Sequence, residues 1–306
     1  MITASIVTYE HHLLDIEPVL RSLFASPVDV IYIIDNSEKM LLLEDELKQF
    51  ADRVLTGEPE LRRRVADGLL VLYFKHDNNG YGGGNNFALR MAQERGSEFH
   101  LVVNPDIWFG PRVIPALIEY MNAHKDVGQI MPKVLYPNGE IQRVAHTLPT
   151  PVDLFCRMCI PPFLFKRRNE RFEVADSGFI MTLNLPFLSG SFMFLRMSAV
   201  NDVGLFDERF FLYAEDIDMT RRMHQRYLTL YYPEVPIYHK FSRSDRRSLK
   251  LLIVHIMSSI KYFNKWGWFN DDNRTAINAD VRQQIANGGY QIANGGYQIA
   301  NGLLNR

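Results

Sequence analysis

The order of apolar and polar positions divides the chain into stretches of two periods. Apolar, β-branched runs at 4–8, 30–34, 69–74 and 101–103 predict buried strands. Between them, apolar residues recur every three or four positions at 13–24, 41–54, 86–94 and 113–122, the spacing of amphipathic helices. Strands that alternate with helices need crossover connections. The pattern therefore predicts an α/β fold with a doubly wound, mostly parallel sheet.

The pattern loosens over 149–184, where prolines, aromatics and the triplet Lys166-Arg167-Arg168 predict an irregular insertion. Regular spacing returns with a strand at 187–196, a helix at 214–226 and short strands at 228–232 and 235–239. An amphipathic helix follows at 248–263, with Trp266 and Trp268 just beyond it. The chain closes on a repeat of Gln-Ile-Ala-Asn-Gly-Gly-Tyr at 284–290 and 291–297, cut short at 298–302. Ile285, Ile292 and Ile299 share one seam, but each glycine costs a lone helix about 1 kcal/mol against alanine. A tail without a catalytic role is expected. These shifts divide the chain into 1–125, 126–245 as the second half of the same domain, a helical segment at 246–280, and a tail at 281–306.

Composition narrows the class. With 306 residues, 47% of them hydrophobic, the chain can bury a large core. Thirty-four basic residues against 35 acidic ones leave a formal charge of -1, which excludes a general nucleic-acid binder. Cys156 and Cys159 are too few for a disulfide framework and lack the second pair of a zinc site. The start resembles no signal peptide, and no apolar stretch reaches the roughly 18 residues of a membrane span. A cytoplasmic location is the expectation.

Candidate chemistry gathers at strand ends. Open α/β sheets bind ligands beyond the carboxyl ends of their strands. Polar residues stand there in turn: Thr8-Tyr9, Asp35-Asn36-Ser37, His76-Asp77-Asn78-Asn79 and Asn104-Pro105-Asp106. Asp106 fits a ligand for a hard divalent cation, and equally an ordinary Asx-Pro turn. The glycine-rich run at 78–86 precedes a helix and fits close approach to an anion. A dinucleotide fingerprint would follow its strand directly and place an acid at the next strand end; neither holds here. Glu215, Asp216 and Asp218 open a helix after Phe210-Phe211-Leu212-Tyr213. They fit a carboxylate base beside an apolar pocket, and equally first-turn acids favoured by the helix dipole. His239 ends a short strand, as a metal ligand or as a structural histidine.

Taken in order, these motifs resemble the family 2 glycosyltransferases, and more narrowly the bacterial rhamnosyltransferase-like branch that builds O-antigen and other surface polysaccharides. The resemblance runs from residue 2 to about 270. It rests most on Leu188-Ser-Gly-Ser-Phe-Met-Phe-Leu-Arg196, on Val203-Gly-Leu-Phe-Asp-Glu-Arg-Phe-Phe-Leu-Tyr-Ala-Glu-Asp-Ile-Asp218 and on Tyr232-Pro-Glu-Val-Pro-Ile-Tyr-His239. It implies a GT-A fold with a nucleotide-sugar-binding half at 1–125, an acceptor and catalytic half at 126–245, and Mg²⁺ or Mn²⁺ as cofactor.

By matching motif, it assigns the donor to Thr8, Tyr9, Asp35, Asn36, Asn79, Gly80, Asn85, Asn104 and Arg222. Asn104 stands where the family's Asp-x-Asp has its first acid, and Asp106 where it has its last, the metal contact. His239 completes the metal or diphosphate site. Asp216 matches the catalytic base, with Glu215 beside it and Asp218 supporting the acceptor and a loop. Such a site would transfer a sugar with inversion, L-rhamnose from a dTDP donor being the first choice, to a glycan or polyprenyl-linked glycan.

A lipid-linked acceptor implies contact with the inner face of the cell membrane. Leu249, Leu252, Ile253, Ile256 and Ile260 share a helical face, with Arg243, Arg246, Arg247, Lys250, Lys261 and Lys265 around them. A homo-oligomer is left open. Two rival classes share the fold: a non-catalytic sugar-nucleotide or glycan binder, and a nucleotidyltransferase. The second would carry a Gly-rich basic loop after its first strand, where this chain has Thr8-Tyr9-Glu10-His11-His12.

Overall fold

The computed structural model describes residues 1–39, 46–47, 49–50, 68–159, 161–240 and 249–290. It begins with β1 (Ile2–Thr8), α1 (Leu13–Phe24), β2 (Val30–Asp35), β3 (Leu70–Lys75), α2 (Gly80–Glu94) and β4 (Phe99–Val103). These four strands match the four apolar runs. They lie parallel in the order β3-β2-β1-β4, with Thr8 beside Asp35 and Asp35 beside Lys75. Their carboxyl ends therefore form one level edge.

Both faces of this sheet are covered, which is why the strands read as unbroken apolar runs rather than alternating ones. Ile31 and Ile33 pack with α1 on one side, while Val30, Tyr32 and Ile34 pack with Ala88, Leu89 and Ala92 of α2 on the other. The helix expected at 41–54 lies mostly outside the described residues, although Phe50 is buried with its ring centroid 6.0 Å from that of Phe24.

The second half extends the same sheet. It holds β5 (Ile107–Phe109), α3 (Val113–Ala123), β6 (Val127–Leu135), β7 (Ala145–His146), α4 (Pro151–Cys159) and α5 (Lys166–Phe172). Then come β8 (Leu183–Asn184), β9 (Phe187–Leu188), β10 (Phe192–Arg196), α6 (Met197–Val203), α7 (Glu215–His224) and β11 (Leu228–His239). The full strand order is β3-β2-β1-β4-β10-β6-β11-β5, with β8 beside β11. β10 runs antiparallel to both β4 and β6, whereas β6 and β11 are parallel. Most strands thus point one way, and β10, β5 and β8 run against them.

Three local expectations change. The strand at 187–196 is two pieces, because Ser189, Gly190 and Ser191 turn between β9 and β10. The strands at 228–232 and 235–239 are one, with a register shift between Tyr232 and Pro236. Proline cannot donate to a ladder, so the break in pattern marks a bulge rather than an end. The stretch at 149–184 carries α4 and α5 and is less irregular than its prolines imply.

Two helices close the described chain, α8 (Leu249–Trp266) and α9 (Asp272–Ala286). They pack through Tyr262 and Phe263 against Phe210, Ala214 and Ile217 at the start of α7. Arg221 of α7 is buried and meets Asp271 through two bonds of 2.8 and 2.9 Å. Its guanidinium also lies 4.2 Å from the Trp266 ring centroid. No helix among the described residues is long and apolar enough to cross a membrane.

α9 runs across position 281, the proposed start of the tail. Val281 is buried, and Gln284 accepts from the Asn184 amide at 2.9 Å while donating to its carbonyl at 3.3 Å. The first copy of the repeat thus pairs with β8; the later copies lie outside the described residues, as do the side chains of Cys156 and Cys159.

Candidate active site

Asn104, Pro105 and Asp106 turn between β4 and β5. The short β5 pairs antiparallel with the end of β11, setting His239 opposite Ile107. That pairing brings His239 Nε2 to 3.1 Å from Asp106 Oδ1. Burial pushes the Asp106 carboxyl up, but the His239 bond and charge, with His11 further off, hold it below the usual range.

Gln142 settles how His239 is presented. Its amide nitrogen donates to the His239 carbonyl at 2.7 Å, so its Oε1, 3.0 Å from Nδ1, must accept a proton from that nitrogen. Nε2 is left facing Asp106. An imidazole nitrogen and a carboxylate oxygen turned toward one another fit a shared divalent cation, with Gln142 fixing the ring from behind. Among the described residues no group of three His, Cys, Asp or Glu could hold a metal. Two protein ligands fit a cation whose other ligands are diphosphate oxygens and water.

Asp216 stands at the first turn of α7. The two residues before the helix, Tyr213 and Ala214, take φ of 68° and 67°, a left-handed pair that is costly for non-glycine residues. Gly190 donates its amide to Asp216 Oδ2 at 2.8 Å, and Ile217 donates its own to Oδ1 at 2.8 Å. A β-carbon at Gly190 would lie 3.1 Å from that of Asp216 and 3.4 Å from the Tyr81 ring, so a side chain there would crowd both. Tyr81 donates its hydroxyl to the Gly190 carbonyl at 2.7 Å, gripping the turn from the other side.

The two groups of residues are joined. The Asn104 amide donates to the Ser191 carbonyl at 2.9 Å, so the turn bearing Asp106 is bonded to the turn held by Asp216. Burial pushes the Tyr81 hydroxyl up, and the charges of Glu215, Asp216 and Asp106 add to it.

Adjacent Glu215 and Asp216 differ sharply. Burial and the Asp216 charge push Glu215 well above the usual carboxyl range, and its Oε2 has no hydrogen-bond partner. Burial also raises Asp216, but the amides of Gly190 and Ile217 oppose the rise. Both carboxyls are raised, Glu215 the more strongly, and Asp216 is the one whose charged form receives backbone hydrogen bonds.

The level strand edge holds the first group of donor candidates. Thr8 and Asp35 are buried side by side, with Thr8 Oγ1 donating to Asp35 at 3.3 Å. Burial alone would raise Asp35, but bonds from the Ser37 hydroxyl and amide and from Tyr73 hold it below the usual range. These contacts set the 35–37 loop. Tyr9, 44% exposed, projects beyond it. Asn36 donates to the Gly80 carbonyl at 3.2 Å, and exposed Asn79 precedes the helix. Gly80, at φ 80°, lies where a β-carbon would meet the Phe211 carbonyl oxygen at 1.9 Å. The glycine run is therefore the first two turns of α2, packed under the loop before Asp216.

Three candidates lie elsewhere. Asn85 is fully buried and accepts from Ser5 at 2.8 Å while donating to the Tyr81 carbonyl at 3.1 Å. Ser5 continues through His100 to Thr3, so Asn85 fastens α2 to β1. Arg222 pairs with Asp218 at 2.9 Å and donates to the carbonyls of Val203, Gly204 and Leu205. Those bonds make it a clamp on the 203–205 loop. Asp218 is fully buried and also meets Trp266 Nε1 at 2.8 Å and Lys265 Nζ at 2.6 Å. It holds loop and helix together.

Sequence reasoning missed Gln142, Tyr81 and Gly190. Gln142 carries no local signal, because its partner is 97 positions away. Tyr81 was visible only as one residue of the glycine run, and Gly190 only as part of the Leu188 to Arg196 block.

Residues 4–204 match the family model described as Glycosyl transferase family 2. Over 222 residues, 67% of this chain and 70% of the relative, it is 29% identical to the N-acetylglucosaminyl-diphospho-decaprenol L-rhamnosyltransferase of Mycobacterium tuberculosis. The fold is similar to mannosyltransferase PcManGT from Pyrobaculum calidifontis, solved with GDP-Man and Mn²⁺, at 14% identity and a TM-score of 0.51 over 95% of this chain and 76% of that one. It is also similar to S. aureus TarS 1-349 with UDP-GlcNAc, at 15% identity and a TM-score of 0.52 over 92% of this chain and 71% of that one. The mixed sheet and its helices are thus those of the GT-A glycosyltransferases, and the chain belongs to glycosyl transferase family 2.

Proposed function

We propose that this glycosyltransferase transfers a sugar with inversion from a nucleoside-diphosphate donor to a hydroxyl of a lipid-linked glycan, at the cytoplasmic side of the membrane. L-rhamnose from dTDP-L-rhamnose is the donor of first choice. The observation that carries the reading is the bonded path from the Asp106 turn through Ser191 and Gly190 to Asp216. It holds a phosphate-side group and a base-side group at fixed separation, as a displacement at the anomeric carbon between them requires. The curated relative's name supports both the sugar and the acceptor class.

Each residue has a task. Tyr9 and the Asp35 loop border the space for the base and ribose. Asp106 and His239 face the diphosphate, and a Mg²⁺ or Mn²⁺ bound there would neutralise charge on the leaving nucleoside diphosphate. Asp216, ionised, accepts the proton of the acceptor hydroxyl as that oxygen attacks from the opposite face of the sugar. Neutral Glu215 adds no second negative charge beside the base. Tyr81 and Gly190 hold the Asp216 carboxylate in place.

Thermal shift with dTDP, UDP and GDP sugars, each with and without Mn²⁺, tests the donor. A ligand that binds only the native state raises apparent stability by mass action. dTDP-L-rhamnose with Mn²⁺ is expected to give the largest rise, and transfer to a lipid-linked N-acetylglucosamine acceptor should yield the inverted anomer. A larger rise with a UDP or GDP sugar would replace the donor, and a retained anomer would overturn the single-displacement mechanism.

A further inference from the structure

We propose that the first half of α8 is a docking surface for an anionic lipid bilayer. Positions 249–257 hold seven apolar residues, and none of the nine is buried. Leu249, Ile253 and Met257, spaced four apart, are 77%, 60% and 50% exposed and form one stripe. A helix that only packed against a core would bury that stripe.

The opposite side of the helix is occupied. His255 stacks on Tyr213 with ring centroids 4.4 Å apart, and Ser258 donates to the Leu212 carbonyl at 2.7 Å. Tyr262 and Phe263 are fully buried one turn later. At roughly 100° per residue, this inner side lies across the helix from the Leu249 stripe. The exposed side is thus an outward apolar face on a helix whose back holds the residues just before Asp216.

Charge selects the occupant. The sequence from 240 to 250 carries Lys240, Arg243, Arg246, Arg247 and Lys250 against Asp245 alone, in a chain of formal charge -1. Lys250 is exposed beside the stripe. A symmetric contact with a second copy would set this basic cluster against its own image. An anionic lipid surface attracts the cluster and takes up the apolar stripe at the same contact. Exposed Lys250 suits a helix that lies on a bilayer rather than crossing it, while Lys261 and Lys265 are bonded to the Arg209 carbonyl and to Asp207 and Asp218. The seat would bring the loop preceding Asp216 to the membrane surface. The proposal goes beyond the reaction assigned above and does not depend on which sugar is moved.

Flotation of the full chain with vesicles tests it. The protein should rise with mixed phosphatidylserine and phosphatidylcholine vesicles at low salt and stay behind with phosphatidylcholine alone. Ile253→Asp with Met257→Asp should lower the bound fraction roughly tenfold, while the thermal midpoint and hydrolysis of a soluble nucleotide sugar stay unchanged. Sedimentation analysis of the same variants covers the second occupant. Absence from the anionic vesicles, flotation of the double variant at the wild-type level, or a dimer that the double variant splits would each overturn the docking proposal. Unchanged hydrolysis alongside any of these would leave the proposed reaction standing, so the two ideas fail separately.

Discussion

Gln142 and His239 hold one another through two hydrogen bonds, one from the amide nitrogen to the histidine carbonyl at 2.7 Å and one between Oε1 and Nδ1 at 3.0 Å. The first bond orients the amide, and the oriented amide then dictates which ring nitrogen carries hydrogen. The nitrogen that faces Asp106 is thereby fixed by a residue that touches neither the acid nor the donor.

Gln142→Met keeps the volume but removes both bonds, and Mn²⁺ affinity should fall. Loss of such an outer partner typically weakens metal binding ~10–100-fold. Gln142→Glu retains an acceptor for Nδ1 and should lose less. Isothermal titration with Mn²⁺ reads both, and equal affinity in all three proteins would remove Gln142 from the site. Asp106→Ala should abolish most transfer, and full activity in excess EDTA would point to a basic side chain instead of a cation.

Asn85→Ala should act on stability rather than on donor binding. The change leaves Ser5 without its buried acceptor, a loss worth about 1–3 kcal/mol. Urea unfolding should show that loss while donor KM stays near wild type. A large KM effect with unchanged stability would return Asn85 to the donor site.

The tail divides at Tyr290. A chain ending at Tyr290 should keep its thermal midpoint and activity. One ending at Asp280 loses buried Val281 and the Gln284 pairing with Asn184, on the order of 2 kcal/mol or more. Equal midpoints for the two truncations would show that the end of α9 adds nothing to the fold.

Much of this was legible in the sequence, for identifiable reasons. Strands buried on both faces appear as unbroken apolar runs, so β1, β2 and β4 were visible; β3 showed the same run although none of its residues is buried. The polar residues after them sit where the strands end, so Asp106 was visible too. What failed depended on partners distant in sequence. Arg222, Asp218 and Asn85 are polar residues beside the other candidates, and only their contacts show that they brace loops and helices. The strand at 187–196 hid its turn, because Ser189 and Ser191 flank a glycine whose purpose is to admit Asp216. The helix of the glycine run began six residues early, since its glycines serve packing under Phe211 rather than a loop.

The pH dependence should follow the raised carboxyls. Burial raises Asp216, so the acid limb of transfer should lie above the ordinary carboxylate range, with rate lost as pH falls through the raised value. Glu215 is also raised, so its contribution to stability is present below its unfolded value and lost as pH rises through its folded one. Glu215→Gln should flatten that part of the stability profile. A pH-rate curve level across the acid side would contradict the assignment of Asp216.

The central claim is that Asp216, and not its neighbour, takes the acceptor proton. Successive helical residues point about 100° apart, so only one of the pair can face the anomeric carbon. Transfer rate and donor affinity measured together in Asp216→Asn and Glu215→Gln decide it. Asp216→Asn should cost ~10²–10⁴-fold in rate with donor affinity nearly unchanged, while Glu215→Gln keeps most of its turnover. Near-wild-type turnover in Asp216→Asn beside a dead Glu215→Gln would contradict the account.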